Sequence, residues 1–438
     1  MLELCRKWAF LVMDGLRGGP VRHACRELKK WDSVDAQSPE LKAYHEARLG
    51  ELMAHAQKTT EFYRENTAQS IEQMPVINKA TIKQQQDAFL SSDYEKDKLI
   101  TMYTSGSTGT PLVSYQDGRK KKKVNAECIY YSQKIGYDVG KPLIYLRAAV
   151  KQIKKSKLMQ FVQNQPLISC KDLSDAGIEA LLDTIAQAPG KNKSLIAYAS
   201  TFDAFAEYFI KTGKDRPKKD PGVIGMISGA EMLYDQTRES LERYFGCRCV
   251  SRYSNEENGV LAQDDGENNV FLLNEAHYYI EVLKLTSDEP AAPGEVGRVV
   301  VTDLFNYAMP MIRYDTGDIG AMTTVTYHGV AHRALDNFGG RKCDSIADCA
   351  GNRLSPHAVT NLLWSFTDIK QFQFIQEDVA AYHIVVNPEK EFDREQELID
   401  ALQYLVGAEA KVTVSYVSEI PILSSGKRKY IVNKLLEG

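Results

Sequence analysis

Five stretches of the chain carry residue types that can do chemistry. In "YTSGSTGTPL" (Tyr103 to Leu112), Gly106 and Gly109 can take positive φ and bring backbone N–H groups close to a ligand. Thr104, Ser105, Ser107, Thr108 and Thr110 add hydroxyl donors. Consecutive N–H and hydroxyl donors suit phosphate oxygens. No Gly-Lys-Ser/Thr closes the loop, so it is not a Walker A loop. "SRYSNEENG" (Ser251 to Gly259) sets Glu256 and Glu257 at the end of a predicted strand, where side chains reach a cleft at the sheet edge. A carboxylate beside a phosphate loop can hold Mg²⁺. In "MPMIRYDTGDIG" (Met309 to Gly320), Asp318 follows a Thr-Gly turn, where its carboxylate can accept both hydroxyls of a ribose. Farther on, "GGRK" supplies Arg341, and "ILSSGKRK" puts Lys427 in a second Ser/Gly loop.

Taken singly, each has a plainer reading. The loop can be an ordinary turn, Glu256 and Glu257 surface charges, Asp318 a turn former and Lys427 a solvated lysine. The joint order along the chain is what raises them above that.

The elements around these stretches alternate. Strand candidates are "KLITMY", "LVSY", "PLIYLR", "SLIAYA", "VIGMI", "CVSRY", "YYIEVL" and "RVVVTDL", and helix-length patterns such as "STFDAFAEYFIKTG" and "LYDQTRESLERYFG" separate several of them. This predicts an α/β architecture with substantial sheet. The first hundred residues read as helices, with Ser38 and Pro39 as cap and first position of one. Two glycines near "NFGGRKCD" suggest a boundary, giving a large domain over 1–340 and a small α+β domain over 341–438. The small domain's strands would be "KQFQFI", "AAYHIVV" and "KVTVSYV", with a helix "EQELIDALQYLV". The run "RKKKK" (Arg119 to Lys123) opens a helix with an expected apolar stripe of Val124, Cys128, Tyr131 and Ile135 and a solvated start.

The chain has 438 residues, 43% of them hydrophobic and 26% charged. Fifty-four Lys and Arg against 58 Asp and Glu leave a balance of −4, which argues against bulk binding to nucleic acid or an anionic membrane. No stretch reaches the roughly 18 apolar residues of a membrane span. The short run "WAFLVM" (Trp8 to Met13) is expected to be a helix packed on the body. Eight scattered cysteines without a CxxC pair point to a reducing, cytoplasmic setting and not to zinc. Cys247 and Cys249 are expected to face one side of a strand.

The ordered series resembles the adenylate-forming superfamily of acyl-CoA synthetases, peptide-synthetase adenylation domains and luciferases. "YTSGSTGTPL" looks like its phosphate loop. "YSNEE" resembles its Tyr-Gly-x-Thr-Glu element, with Ser254 in place of the Gly and Glu256 in place of the Thr. "RYDTGD" is similar to its Tyr-x-Thr-Gly-Asp element, "GRKCD" to its hinge element and "SSGKRK" to its catalytic-lysine loop. "PGEVGRVVVTDLFNYAMPMIRYDTGD" and the chain length look most like the phenylacetate-CoA ligase branch, which includes proteins found with capsular-polysaccharide genes. The likeness covers about residues 85 to 438, and the first 80 or so carry no placed motif.

The resemblance implies ATP-dependent activation of a carboxylic acid to an acyl-adenylate, with pyrophosphate released, and acyl transfer to a thiol such as CoA. It implies that Thr104, Ser105, Gly106, Ser107, Thr108 and Gly109 hold the β- and γ-phosphates. Glu257 would bind Mg²⁺, Asp318 the ribose, Arg341 the nucleotide near the hinge, and Lys427 the substrate carboxylate and α-phosphate. Ser228, Gly229, Ala230 and Glu231 in "ISGAEM", with Tyr253, Ser254, Asn255 and Glu256, would line the nucleotide. The acyl pocket would draw on Tyr145, Arg147, Ser200, Thr201, Arg252 and Tyr253, although Arg147 and Arg252 can equally be structural. The expected partners are a small carboxylic acid and CoA or another acyl acceptor, with a homodimer left open. Two rivals stand beside this reading. One is adenylation with transfer to an amine, sugar or carrier protein, and the other is a non-catalytic nucleotide-binding protein.

Overall fold

The computed structural model describes residues 1–103, 112–147, 156–170, 173–217, 220–230, 232–267, 269–338, 346–351, 353–354, 359, 362–363, 365–366, 368–420 and 431–436. Helices α1 (Leu2–Leu16), α2 (Pro20–Trp31) and α3 (Pro39–Thr59) come first. The α3 start follows its sequence: Ser38 accepts from the Leu41 N–H and Pro39 occupies the first turn. A short helix α4 (Lys79–Gln84) leads to an antiparallel hairpin of β1 (Ile100–Tyr103) and β2 (Val113–Gln116), with Tyr103 opposite Val113, and then to α5 (Gly118–Gln133).

The next elements wind through β3 (Leu143–Arg147), α6 (Lys157–Gln163), β4 (Leu167–Ser169), α7 (Asp175–Gln187), β5 (Lys193–Tyr198), α8 (Ala199–Thr212), β6 (Val223–Gly229), α9 (Asp235–Phe245) and β7 (Cys249–Asn255). Antiparallel strands follow: β8 (Gly259–Asp264), β9 (Phe271–Leu273), β10 (Tyr278–Leu283), β11 (Val296–Asp303), β12 (Tyr314–Tyr327) and β13 (Val330–Asp336). One eleven-stranded sheet results, in the order β10-β11-β12-β13-β9-β8-β7-β6-β5-β3-β4. The stretch from β4 to β7 is parallel.

Burial explains the split. β5 and β6 bury nearly every residue, as parallel strands covered on both faces must. Phe202, Phe205 and Phe209 of α8 pack into that core, and Phe209 stacks on Tyr244 of α9 at 3.8 Å. β12 and β13, which the sequence reading passed over, form a hairpin through His328 and Gly329, both at positive φ (49° and 81°).

The C-terminal part builds its own layer. A short pair β14 (Ile346–Ala347) and β15 (Arg353–Leu354) precedes β16 (Ile369–Asp378), β17 (Ala381–Pro388), α10 (Glu395–Val406), β18 (Lys411–Tyr416) and β19 (Ile431–Asn433). The last four strands make a sheet in the order β18-β17-β16-β19, and Phe374, Ile384, Leu398 and Leu402 form its core. The division expected at 340/341 lies outside the described residues.

Three expectations are corrected. The run Trp8 to Met13 lies in α1, which packs on the body through half-buried Phe10, but Trp8, Val12 and Met13 face solvent, and Asp14 is the one buried residue of the helix. In α5 the buried face holds Lys120, Ala126, Glu127 and Tyr131, whereas Cys128 is exposed. The basic start of α5 is therefore not simply solvated: Lys120 is fully buried against Asp303, at 2.7 Å, and the Tyr278 hydroxyl, at 3.0 Å. Finally, β7 begins at Cys249, so Cys247 falls outside the strand that was to align the two thiols.

Candidate active site

The motif at Tyr253 to Glu257 owes its shape to a β-bulge. The pairing of β7 with β8 slips between Tyr253 and Ser254, and the strand ends at Asn255. A bulge at a strand end re-aims the side chains that follow. Here it leaves Ser254 and Glu256 exposed, Asn255 half-buried and Glu257 only 2% exposed. Asn255 Oδ1 accepts from the Asn258 N–H at 2.9 Å and closes the turn. Gly259 is required just beyond it, because its φ is 139° and a Cβ would stand 2.3 Å from Glu127 Oε2.

Glu257 is held from two sides. Tyr314, the first residue of β12, donates its hydroxyl to Glu257 Oε1 at 3.0 Å. Lys79 Nζ stands 3.5 Å from the same oxygen. Lys79 reaches the site because residue 77 runs along β12. The Ile77 N–H donates to Arg313 O at 3.0 Å, and the Asp315 N–H donates to Ile77 O at 2.7 Å. Asn78 then caps α4 by accepting from the Thr81 N–H, which puts Lys79 in the first turn. Arg313 pins the junction from behind by pairing with both oxygens of Glu281 and reaching the carbonyls of Glu72 and Met74.

Asp318 lies 2.8 Å from the Tyr253 hydroxyl, which also approaches Thr316 Oγ1 at 3.2 Å. Burial, with Asp318 beside it, pushes the Tyr253 phenol well above its usual range, so it stays protonated and donates. Burial and the charge of Glu257 do the same to Tyr314. The turn is fixed by Asp315 Oδ1 accepting from the Gly317 N–H at 2.9 Å, with Gly317 at φ 80°. Tyr253 also packs against Phe338 at 4.4 Å between ring centroids.

The adenine-side candidates lie on the same sheet edge. Ser228 and Gly229 close β6 opposite Ser251 and Arg252 of β7, and Ala230 follows at φ 68°, a costly angle for alanine. Ser228 is fully buried, and no hydrogen-bond partner meets its hydroxyl among the described residues. The Gln116 side-chain N–H of β2 donates to the Glu257 carbonyl at 3.1 Å, tying the hairpin that brackets the glycine loop to the metal candidate. Thr104 to Gly109, Glu231, Arg341 and Lys427 lie outside the described residues.

Of the acyl-pocket candidates, Arg252 is structural. It is buried, bonded to Gln263 Oε1 at 2.9 and 3.0 Å and to Ser132 Oγ at 3.2 Å. Thr201 turns into the core. Arg147 differs: it ends β3 with its guanidinium 4.5 Å from the Tyr198 ring centre and 5.8 Å from that of Tyr145, and it has no ion pair among the described residues. Lys79 is the functional candidate that the sequence reading missed. A lysine one residue after a helix-capping asparagine was its only local sign.

Among the described residues no cluster of three or more His, Cys, Asp or Glu could hold a metal ion. Mg²⁺ does not need one, since it is commonly held by one or two carboxylates plus substrate phosphates. The buried Glu257 carboxylate fits that role.

Comparison with known proteins agrees with the fold. Residues 347–434 match the family described as the CapK C-terminal domain. Protein CapK of Staphylococcus aureus is 22% identical over 411 residues, covering 89% of this chain and 88% of its own. Phenylacetate-coenzyme A ligase of Aromatoleum evansii is 26% identical over 230 residues, 48% of this chain and 50% of its own. A crystal structure of 2-hydroxyisobutyryl-CoA ligase in the postadenylation state, in complex with 2-HIB-AMP, superposes with a TM-score of 0.71 at 14% identity, covering 92% of this chain and 91% of that one. The fold is that of the adenylate-forming ligases, a large sheet-and-helix domain followed by a small α+β domain. In sequence and in fold the chain is similar to members of the adenylate-forming superfamily. Among the relatives, the likeness to CapK runs over most of the chain and that to the phenylacetate-coenzyme A ligase over about half of it.

Proposed function

We propose that this protein activates a carboxylic acid with ATP, releasing pyrophosphate, and passes the acyl group from AMP to a thiol, with CoA as the acceptor. The observation that carries the reading is the meeting of Glu257, Tyr314, Lys79, Tyr253 and Asp318 from three separated stretches at one sheet edge. A buried carboxylate tied to the hairpin that brackets the glycine-rich stretch, with a second carboxylate directly after a Thr-Gly turn, suits a nucleotide held at both phosphate and ribose.

In the first half-reaction the substrate carboxylate attacks the α-phosphorus and the bond to pyrophosphate breaks. The protein forms no covalent bond, so catalysis rests on positioning and on charge. Thr104 to Gly109 would hold the β- and γ-phosphates, and Glu257 would carry Mg²⁺, which neutralises phosphate charge when bound. Asp318 would accept from the ribose hydroxyls while Tyr253 steadies it. Ser228 to Glu231 and Ser254 to Glu256 would border the base and the phosphates, with Arg341 near the domain junction. Lys427 would bridge the substrate carboxylate and the α-phosphate, and Lys79 adds a second cation. Arg147 at the end of β3 suits an acid with a second polar or anionic group. The domain division at 340/341 serves this reading, since Lys427 must close over a cleft in the other domain.

A second reading has support in the relative named CapK, whose likeness runs over 89% of the chain, against 48% for the phenylacetate ligase. In that reading the acyl-adenylate is made in the same way and the acceptor is a sugar, an amine or a carrier protein, as in polysaccharide assembly. The test for both is pyrophosphate exchange into ATP over aryl, short-chain, hydroxy and dicarboxylic acids, with and without CoA. Acid-dependent exchange with CoA consumption supports the first reading, and exchange without it supports the second. ADP and orthophosphate as products would overturn both.

A further inference from the structure

α1 is built inside out. Its inward side carries charge beside the half-buried Phe10: Lys7 pairs with Asp138 at 2.5 Å, and Asp14 is buried, accepting from the Val21 N–H at 3.1 Å and pairing with Arg22. The opposite side carries Leu4, Trp8, Val12 and Leu16 at a spacing of four, exposed at 63, 65, 56 and 83%. A helix that packs on a soluble body presents the reverse arrangement. The patch continues onto α6, where Leu158 and Phe161 are exposed at 72 and 60%, and the Arg6 guanidinium sits 4.8 Å from the Phe161 ring centre and joins the two helices. Isolated exposed apolar residues are ordinary, but a contiguous stripe with a Trp at its middle marks an interaction surface.

Charge identifies what covers it. Residues 1–31 hold seven Lys and Arg (Arg6, Lys7, Arg17, Arg22, Arg26, Lys29, Lys30) against three acids (Glu3, Asp14, Glu27), while the whole chain is at −4. The three acids are buried or half-buried. Arg17 directly follows Leu16, and Lys157 directly precedes Leu158; both are exposed and have no ion pair among the described residues. Arg26 and Lys29 on α2 are likewise exposed and without an ion pair there. The balance over the full sequence concealed this local excess. A second copy would bring like charge to like, whereas an anionic bilayer brings the opposite charge together with an apolar layer deep enough for Trp and Leu.

We propose that α1, with α6 beside it, lies in the surface of an anionic lipid bilayer and makes this protein a peripheral membrane protein. Among the described residues no helix is long and apolar enough to cross a membrane, so the contact is in-plane.

The test is flotation of the full chain with vesicles of phosphatidylcholine containing about one-third phosphatidylglycerol, and with phosphatidylcholine alone, alongside sedimentation velocity without lipid. The expected result is salt-sensitive flotation with the anionic vesicles. In the double variant Leu4→Ser, Trp8→Ser, binding should fall at least about tenfold, with circular dichroism and Tm unchanged because both side chains face solvent. Arg17→Gln with Lys157→Gln should weaken binding to anionic vesicles and flatten its salt dependence. Absence of flotation by the wild type, or equal flotation of the double variant, overturns the proposal. A dimer that the double variant dissociates, with no vesicle binding, overturns it in favour of self-association.

Discussion

Lys79 Nζ lies 3.5 Å from Glu257 Oε1, although the two residues are 178 positions apart. The link between them is backbone: residue 77 pairs with β12, and Tyr314 of β12 also donates to Glu257. Lys79 is half-exposed, so its ion pair contributes little to stability, about 0–1 kcal/mol. Its value should lie in catalysis. Lys79→Ala is expected to slow acid-dependent pyrophosphate exchange by roughly 10²-fold, in the range for losing one donor aimed at developing charge, with Tm little changed. Exchange at the wild-type rate would reduce Lys79 to a surface pair.

Asp318 is expected to govern nucleotide affinity. If it accepts both ribose hydroxyls, Asp318→Ala removes two charge-assisted hydrogen bonds of about 1.5–3 kcal/mol each. AMP binding by calorimetry should weaken by roughly 10²-fold or more, with the fold intact. Tyr253→Phe loses the 2.8 Å bond that steadies Asp318 and should weaken AMP by a smaller factor, about tenfold. Unchanged AMP binding in the Asp318 variant would refute the assignment.

Lys427 separates the half-reactions. Lys427→Ala should slow adenylation by roughly 10²–10³-fold. A chemically supplied acyl-adenylate should still be consumed by the acceptor at near the normal rate, because that step does not need the lysine. Timing the two steps separately decides the matter: if both fall together in a folded variant, Lys427 is not the adenylation lysine.

The α5 network predicts a large stability effect from one basic residue. Lys120 is buried with Asp303 at 2.7 Å and Glu127 at 4.0 Å, and the carboxyl of Asp303 is pushed up by burial even beside that lysine. Lys120→Met leaves two carboxylates buried without their cation and should cost about 3–5 kcal/mol, read as a lower denaturant midpoint. The deficit should shrink on mild acidification, as Asp303 takes up a proton. A midpoint like the wild type's would mean that water reaches the network.

Glu27 sets an acid limit. Burial pushes its carboxyl up, but His277 and Lys123 outweigh burial and hold it at about 2 against an ordinary 4.5. A folded value below the unfolded one stabilises above pH 4.5, and that stability is lost as pH falls from 4.5 toward 2. Glu27→Gln should therefore cost up to about 3 kcal/mol at pH 7. The gap between variant and wild type should close below pH 4.5 and vanish near pH 2 in urea titrations at stepped pH. A gap that stays constant with pH would show that Glu27 acts by shape and not by charge.

The local patterns of the chain determined much on their own. The α10 segment Glu395–Val406 and the strand Tyr278–Leu283 are legible residue for residue, because amphipathic period and β-branched content are local properties. The order of the motifs, with Glu257 and Asp318 as candidates, was likewise read from residue types alone, since short motifs keep their residue types wherever the chain carries them. The hairpin of β12 and β13 was not legible: its turn is His-Gly, and the positive φ of His328 is set by the pairing on either side. Tertiary structure alone decided three further things. It chose Glu257 over Glu256 for burial, through a bulge that exists only once β7 meets β8. It brought Lys79 to the site by a backbone pairing across 237 positions between Ile77 and Tyr314. And it turned the charged side of α1 inward, because Lys7 and Asp14 find partners on the body that hydrophobic periodicity cannot foresee, which leaves the apolar stripe to face out.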